Sequence, residues 1–580
     1  MIKIEHLSFS FPQKELFHDI SFSLDGNQHC AFIGTSGSGK STLADMILHP
    51  DLALYDGKID APPTDQIGYV SQFSNLISNT DLTVYEFIAE RFISIQNEIT
   101  SICEALETAS EIDSLLETYQ DRLDAFEAIG GDSYDSLIKK NLGLASLDQH
   151  ANLPIQKLSG GEFKLVQVIK EMLTAPSYMI MDEPDVFLDF ENLNALKNLI
   201  NSYQGILLVI THNRYLLSHC FNKIIHLENK ELQEYDGTFV NYNFTLLQSK
   251  IELQELAFAD AEEIRRNEAV IDRLRAVASN NAEAARGKTL NARVKLLERL
   301  EARKIKEPFV YSKHPKITLP TIQAPLEGWI LKLADYYAAF ETVLLQHIDL
   351  ELQAGEKVAL IGANGTGKTT MLRDLYQNKL TSISYSPESK TAYLSQSQSE
   401  VLNESNTIFD EFFELKFQTY QEIIDYLSNY GFEEASCKQV IKDLSGGEKN
   451  MLQLAKISCQ DANFLLLDEP TSHLDTYSQK SLEDAIKAYQ GTVLMISHDF
   501  YMIANCMDYV LIIEDCSVRK MSIRKFRKMI YANHFDRDYL DLEEKKKAAE
   551  AKIEAALLAN NFTLAKTLSE ELEPIITLLS

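Results

Sequence analysis

The sequence predicts an α/β fold in which two P-loop domains in tandem are joined by a long α-helical hairpin linker and followed by a C-terminal helical extension. Three observations predict it. A glycine-rich phosphate-binding motif occurs twice, the segments around it repeat in the same order, and the region between the repeats has helical periodicity with almost no Gly or Pro. At 580 residues, the chain is long enough for several domains.

Composition and charge exclude several protein classes. Hydrophobic residues make up 45% of the chain and charged residues 24%, as in globular proteins, and no apolar run approaches the roughly 18 residues that cross a bilayer. Seven singly scattered cysteines favour reduced thiols in a soluble cytoplasmic protein over disulfides or a zinc site. The start, Met1 to His6, is typical of a strand rather than a secretory signal. A net charge of −30 argues against a nucleic-acid partner unless basic residues are concentrated locally.

The internal repeat defines the expected domains. Residues 19–41 align with 347–369 at an offset of 328, residues 69–72 with 393–396 at 324, and residues 158–162 with 444–448 at 286. The first half therefore holds 38 additional residues, and helical spacing predicts an arm at about 87–127. The expected boundaries are 1–242 for the first domain, 243–320 for the linker, 321–518 for the second domain and 519–580 for the extension.

Three further helical segments follow from the residue pattern. In the linker, we expect one helix to about 277, a turn near 278–287 and a second helix from about 290 to 305. In the second half, a short helical insert is expected near 409–430. In the extension, the charged run 543–547 is expected to lie between two helices.

Two segments, 34–41 and 362–369, fit the P-loop pattern G-x-x-x-x-G-K-[ST], and each follows an apolar strand and opens a helix. Glycines let backbone N–H groups converge on phosphates at a helix N-terminus. We expect Lys40 and Lys368 to reach the β- and γ-phosphates. Ser41 and Thr369 are expected to hold Mg²⁺. The remaining expected ATP contacts in the two loops are Gly34, Gly37, Gly39, Thr42, Gly362, Gly365, Gly367 and Thr370.

Polar residues after further apolar strands complete each expected site. Asp182 and Asp468 end strands and are suited to Mg²⁺, and Glu183 and Glu469 follow them, placed to polarise an attacking water. The alternative is that these acids only cap strand ends. Four residues are also expected at the phosphates or Mg²⁺: Gln72 and Gln396 near the metal and water, and His212 and His498 near the γ-phosphate, unless the histidines are structural.

All these motifs, together with LSGGE at 158–162 and 444–448, occur twice and in order. This arrangement resembles the ATP-binding cassette superfamily over nearly the whole of both halves. In that family, LSGG contacts ATP bound to the opposite cassette, so the resemblance implies a head-to-tail pair with ATP and Mg²⁺ as cofactors. The first P-loop would share its site with Ser445, Gly446 and Gly447, and the second with Ser159, Gly160 and Gly161.

The halves are not equal. The second has DEPTSHLD at 468–475, close to the family pattern, whereas the first has DEPDVFLD at 182–189. Both catalytic glutamates are present, so we expect both sites to turn over, at different rates. Adenine stacking stays open between Phe9 and Phe11 in the first half, and between Tyr337 and Phe340 in the second.

Tandem cassettes with a helical linker and an arm on the first cassette only resemble the ABC-F subfamily. That resemblance implies a cytoplasmic monomer that binds the bacterial ribosome near the tRNA exit site, with the linker directed at the peptidyl-transferase centre. Residues 264–306 hold twelve Arg and Lys against five acids, a net +7 that suits contacts to the phosphates of large-subunit RNA and tRNA. Helix-surface charge pairing is the alternative explanation. The expected RNA contacts are Arg273, Arg275, Arg286, Lys288, Arg293 and Lys295.

Two biological roles remain open within the subfamily. One is protection of ribosomes from antibiotics, which the long linker, the extension and the divergent first motif favour. The other is a housekeeping factor that relieves stalled ribosomes. From another class, the chain could be the ATPase subunit of a transporter, although the arm and basic linker argue against it.

Overall fold

The computed structural model describes the chain except for residues 12–13, 53, 73–80, 107–112, 175–176, 187, 279–314, 321–326, 341, 414, 416, 418, 535–538 and 580. The chain divides into two compact units. One contains residues 1–236 and 314–529, and therefore both cassettes. The other contains residues 237–313 and 530–580.

The first cassette is built on two sheets. A three-stranded antiparallel sheet has the order β2-β1-β4, with β1 at Ile2–Phe11, β2 at Lys14–Leu24 and β4 at Asp56–Asp60. A six-stranded sheet has the order β5-β6-β7-β3-β8-β9, and only its edge strand β9 runs antiparallel to its neighbour. Its strands are β3 His29–Gly34, β5 Ile67–Val70, β6 Tyr178–Asp182, β7 Ile206–Ile210, β8 Lys223–Glu228 and β9 Glu231–Asp236.

The central strands of this sheet are mostly apolar because helices cover both faces of a parallel sheet. All five residues of β7 are buried, for example. Parallel strands end at one edge, so the residues that follow β3, β6 and β7 meet there. The helices are α1 Lys40–Leu48, α2 Val84–Leu106, α3 Asp113–Ala128, α4 Tyr134–Leu144, α5 Gly160–Thr174, α6 Phe190–Ser202 and α7 Arg214–His219. Within the predicted arm, α2 and α3 pack against each other.

The second cassette repeats this plan. Its antiparallel sheet has the order β11-β10-β13, with β10 at Trp329–Ala339, β11 at Val343–Gln353 and β13 at Ile383–Tyr385. Its six-stranded sheet has the order β14-β15-β16-β12-β17-β18. These strands are β12 Lys357–Ile361, β14 Thr391–Leu394, β15 Phe464–Asp468, β16 Thr492–Ile496, β17 Tyr509–Glu514 and β18 Ser517–Ser522. The helices are α9 Lys368–Gln377, α10 Ile408–Phe413, α11 Tyr420–Ser428, α12 Gly446–Ser458, α13 Thr476–Ala488, α14 Phe500–Cys506 and α15 Ile523–His534.

The other unit is helical. Its long helix α8 spans Phe239–Ala278, and the C-terminal helices are α16 Tyr539–Leu558 and α17 Phe562–Leu579. Val240, Phe244 and Ile251 of α8 pack in one apolar core with residues of α16 and α17 such as Ile553 and Leu572. The second linker helix expected from the sequence lies outside the described residues. Within the described part of the chain, no helix has the length and apolarity to cross a bilayer.

Three sequence expectations differ from the structure. Helix α8 begins at Phe239 rather than at the expected linker start, and residue 519 falls inside β18, which pairs with β17 as a hairpin. The charged run 543–547 lies inside α16 rather than between helices. Glu and Lys are good helix formers, and here Lys547 Nζ pairs with Glu543 Oε1 at 3.0 Å, one turn away.

Candidate nucleotide-binding sites

Each P-loop wraps its lysine in backbone carbonyls at the start of a helix. Gly39 and Gly367 precede α1 and α9 with φ of 102° and 92°, a conformation that favours glycine. Lys40 Nζ donates to the carbonyls of Gly34 and Thr35, both at 2.9 Å, and Lys368 Nζ to those of Gly362 and Ala363, both at 2.8 Å. Burial lowers the pKa of both lysines. An ammonium group beside free N-terminal N–H groups suits a polyphosphate.

The acids that end β6 and β15 are buried beside the P-loop lysines. Asp182 Oδ1 and Asp468 Oδ2 are buried without a hydrogen-bond partner among the described residues. Burial raises the pKa of Asp182 to about 6 and that of Asp468 to about 7. Thr369 Oγ1 donates to Asp468 Oδ1 at 3.3 Å, and Ser41 bonds Asp182 in the same way. Buried carboxylate and hydroxyl oxygens beside a P-loop fit Mg²⁺, which would stabilise the ionised acids.

The next residue in each cassette, Glu183 or Glu469, is held in a strained backbone conformation. Their φ angles are 44° and 49°, in the left-handed region. Each backbone N–H donates to the end of the neighbouring strand, from Glu183 to Ile210 O at 2.9 Å and from Glu469 to Ile496 O at 3.0 Å. This turn directs both carboxylates to the edge where the P-loops lie, as expected of groups that activate water.

Contacts between the cassettes are head-to-tail. The Ser36 N–H of the first P-loop donates to Asp475 Oδ2 of the second cassette at 3.3 Å, and the Asn364 N–H of the second P-loop donates to Asp189 Oδ2 at 3.2 Å. A Cβ atom on Gly447 would lie 2.6 Å from Ser36 Oγ, so the signature of the second cassette lies directly against the first P-loop.

The reciprocal interface encloses a cavity of about 470 Å³. Gly160 and Gly161 of the first signature line it together with Gly365, Lys368 and Thr370 of the second cassette. Thr369, Gln396, Asp468, Glu469 and His498 also line this cavity. Both cassettes therefore contribute to the same space.

The signature motifs also cap their own helices. Ser445 Oγ accepts from the Glu448 N–H at 3.3 Å while Glu448 Oε2 accepts from the Ser445 N–H at 2.9 Å, a capping box at the start of α12. Ser159 and Glu162 repeat the exchange at 3.3 and 2.8 Å. The final Glu of LSGGE therefore has a structural task, which sequence reasoning did not assign.

At the first site, the second cassette reaches Glu183 directly. Gln72 Nε2 donates to Glu183 Oε2 at 2.6 Å, and His473 Nδ1 of the second cassette lies 3.0 Å from the same oxygen. Burial raises the pKa of Glu183, but the hydrogen bond from His473, the charge that His212 carries in acid and the charge of Lys40 outweigh burial and bring the pKa to about 2. The amide nitrogen of Gln72 faces the Glu183 carboxylate, so its amide oxygen remains available to bind a cation.

At the second site, the corresponding carboxylate has weaker support. The His498 N–H donates to Glu469 Oε2 at 3.4 Å, and burial raises the pKa of Glu469 to about 7. Burial and the nearby P-loop lysines lower the pKa of His212 and His498 to about 4, so both histidines are neutral at pH 7. A neutral imidazole in each site can donate one hydrogen bond to a phosphate oxygen.

A buried ionic cluster that the sequence did not reveal joins the two switch regions. Arg214, two residues after His212, pairs with Glu483 Oε1 at 2.5 Å and with Asp499 Oδ2 at 2.8 Å, both in the second cassette. Glu483 is only 1% exposed. At the repeat offset of 286, Arg214 corresponds to Phe500, so the repeat offers no signal for this cluster.

The residues expected to contact RNA are described only in part, whereas all four rings expected to stack on adenine are described. Arg273 lies on α8, as does the backbone of Arg275, whereas Arg286, Lys288, Arg293 and Lys295 lie outside the described residues. Among the candidate stacking rings, Phe11, Tyr337 and Phe340 are exposed, and Phe9 is half-buried with its ring 5.1 Å from that of Phe11.

Comparisons with known proteins agree with this architecture. The family model described as ABC transporter matches residues 17–186 and 345–472. The ABC transporter ATP-binding protein YfmM of Bacillus subtilis is 30% identical over 518 residues, covering 87% of this chain and 96% of YfmM. The ATP-binding protein YheS of Escherichia coli K12 is 27% identical, covering 89% and 79%. An archaeal ribosome recycling factor, aABCE1, solved with the ribosomal stalk protein aP1, superposes with a TM-score of 0.52 at 17% identity, covering 91% and 92%.

Proposed function

Because this chain belongs to the ABC transporter family and to its ABC-F subfamily, we propose that it is a ribosome-associated ATPase that converts ATP and water to ADP and phosphate, with Mg²⁺, at two composite sites. The observation that carries the proposal is the reciprocal contact of each P-loop with the opposite cassette, Ser36 with Asp475 and Asn364 with Asp189. Such contacts form only when the cassettes are closed on each other.

The composite sites explain how ATP binding would close the two cassettes on each other. ATP in either site would touch the P-loop of one cassette and the signature of the other, so binding favours the closed state by its differential affinity. Hydrolysis removes the γ-phosphate that joins them. One chain supplies both halves of both sites, which supports action as a monomer.

The ribosomal part of the proposal is supported by subfamily membership and by the helical linker. Helix α8 continues for 40 residues from the strand that ends the first cassette, and residues 264–306 carry a net +7 on a chain of −30. In this proposal, the chain acts in the cytoplasm, binds the large subunit near the tRNA exit site, and ATP-driven closure places the linker near the peptidyl-transferase centre. Its RNA contacts are mainly to phosphates.

The test is co-sedimentation of the full chain with bacterial ribosomes. The double variant Glu183→Gln, Glu469→Gln should bind ATP without hydrolysing it and remain in the ribosome pellet with ATP but not with ADP. The matched control, Lys40→Ala with Lys368→Ala, should lose ATP binding and stay in the supernatant. Failure of the glutamine variant to sediment with ribosomes in ATP would contradict the ribosomal role.

We further propose that the ribosome-bound state protects against antibiotics of the large subunit. Two features support this proposal: α8 is long, and it packs against the C-terminal helices α16 and α17. Both suit a linker that must reach a buried site. Expression in a drug-sensitive bacterium should raise inhibitory concentrations of lincosamides, streptogramin A or pleuromutilins. No shift for any of these drugs would favour the alternative, a housekeeping factor that relieves stalled ribosomes.

A further inference from the structure

We propose that His473, which the second cassette contributes, is the residue that positions the water-activating Glu183 at the first composite site, and that the second site lacks this support. The inference rests on the proposed ATP hydrolysis. It predicts that the two sites differ in the rate of the chemical step rather than in ATP binding.

Two donors from opposite cassettes converge on one oxygen of Glu183. His473 Nδ1 lies 3.0 Å from Glu183 Oε2, and Gln72 Nε2 lies 2.6 Å from it. Gln72 Nε2 also lies 3.2 Å from His473 Nδ1, and since the carboxylate can only accept, a hydrogen bond from His473 to Glu183 requires the proton on Nδ1. Two bonds to Oε2 fix the side-chain rotamer and leave Oε1 for an attacking water. Both side chains are largely buried, 13% exposed for His473 and 16% for Glu183.

The position of His473 depends in turn on the signature motif. A Cβ on Gly446 would lie 3.0 Å from the His473 ring, and one on Gly447 would lie 2.5 Å from the His473 carbonyl. His473 itself has a φ of 61°, a strained conformation that its surroundings must impose. The same motif lies against Ser36 of the first P-loop. Closure of the signature over ATP would therefore bring His473 to Glu183, so that only the closed cassettes hold the carboxylate ready.

The second site differs at this residue. At the repeat offset of 286, His473 corresponds to Phe187, a side chain that cannot form such a hydrogen bond. Within the described parts of the chain, Glu469 Oε1 has no hydrogen-bond partner, with His498 Nε2 3.5 Å away, and Oε2 accepts one long bond from the His498 N–H. A carboxylate held only by contacts of 3.4 and 3.5 Å samples more orientations than one held at 2.6 and 3.0 Å, which lowers the fraction aligned for attack. The first site is therefore the faster one, and the second holds ATP longer.

The test isolates each site in the full-length chain. Glu469→Gln leaves the first site active, and Glu183→Gln leaves the second. In the Glu469→Gln background, His473→Phe should lower kcat for phosphate release by about 10- to 100-fold with little change in KM. His473→Asn should restore most of kcat, because its amide can donate from a similar position. The same His473→Phe change should slow the Glu183→Gln background far less. The exposed His347, changed to Phe, serves as the control for loss of a histidine ring.

The outcomes separate this inference from the proposed function. A parent chain without ATP hydrolysis would overturn the proposed function and the inference together. A parent chain that hydrolyses ATP, with a kcat in the Glu469→Gln background that is indifferent to His473→Phe, would overturn the inference alone. Equal losses in both backgrounds, or a change confined to KM, would also overturn it, since a merely structural histidine would affect both sites or binding.

Discussion

Asp185 occupies the position of Thr471 in the second cassette, and its carboxylate is a source of instability at neutral pH. Burial raises its pKa to about 6, although the Thr211 hydroxyl donates to Asp185 Oδ1 at 2.6 Å. In the unfolded chain, the pKa is about 3.9. The folded state therefore binds the proton more tightly, and the free energy of unfolding falls as pH rises from about 4 to about 6 and stays lower above it.

The change Asp185→Asn removes this charge and keeps an oxygen to accept from Thr211. It should raise the free energy of unfolding by about 2 kcal/mol at pH 8 and have little effect at pH 4.5, where the aspartic acid is already neutral in the fold. Denaturant unfolding at both pH values measures the effect, with the exposed Asp60→Asn as control. A less stable Asp185→Asn at pH 8 would show instead that the negative charge of Asp185 is needed to stabilise the nearby charge of Lys164.

Between elements, a buried ionic link joins the start of α7 to α13 and the start of α14. Replacing Arg214 by Met leaves Glu483 and Asp499 buried without their cation, and breaking a buried pair in this way costs about 3–5 kcal/mol. The melting temperature should therefore fall. Adding Glu483→Gln should recover part of the loss, because one uncompensated charge is then removed. Arg519→Met, at an exposed pair with Glu514, should leave stability unchanged. Equal shifts for Arg214→Met and Arg519→Met would contradict the importance of the cluster.

The packing of α8 against the C-terminal helices α16 and α17 stabilises the helical unit. Ile251 is 1% exposed in the core that α8 shares with α16 and α17. Changing Ile251 to Ala should destabilise that core by about 2–5 kcal/mol. Hydrogen exchange should then accelerate in α8 and in residues 539–579 together. The exposed Leu558→Ala is the matched control. Faster exchange in α8 alone would show that the C-terminal helices fold independently of the linker.

Over the whole molecule, the repeat was the most informative part of the sequence. Local signals such as the strand before Asp182 and the glycines before Lys40 recur at fixed offsets, so the two cassettes and most residues at the strand ends could be predicted. Contacts between the halves could not. The interactions of His473 with Glu183 and of Arg214 with Glu483 join residues 290 and 269 positions apart, and only the head-to-tail packing brings them together.

The packing of the C-terminal extension was also beyond sequence reasoning. Apolar periodicity in 539–579 predicts helices but does not name the surface that they cover. The charged run 543–547 was wrongly expected to interrupt them, since charge alone does not end a helix when neighbours one turn apart can pair.

The measurement that tests the head-to-tail account most directly is the ATPase rate of paired loss-of-site variants. Lys40→Ala in the first P-loop and Ser445→Arg in the second signature should disable the same site, so their combination should hydrolyse ATP about as fast as either single variant. Lys40→Ala with Ser159→Arg should disable both sites and abolish hydrolysis. The reverse pattern, loss with Ser445→Arg and no added loss with Ser159→Arg, would show that each cassette completes its own site and would contradict the account.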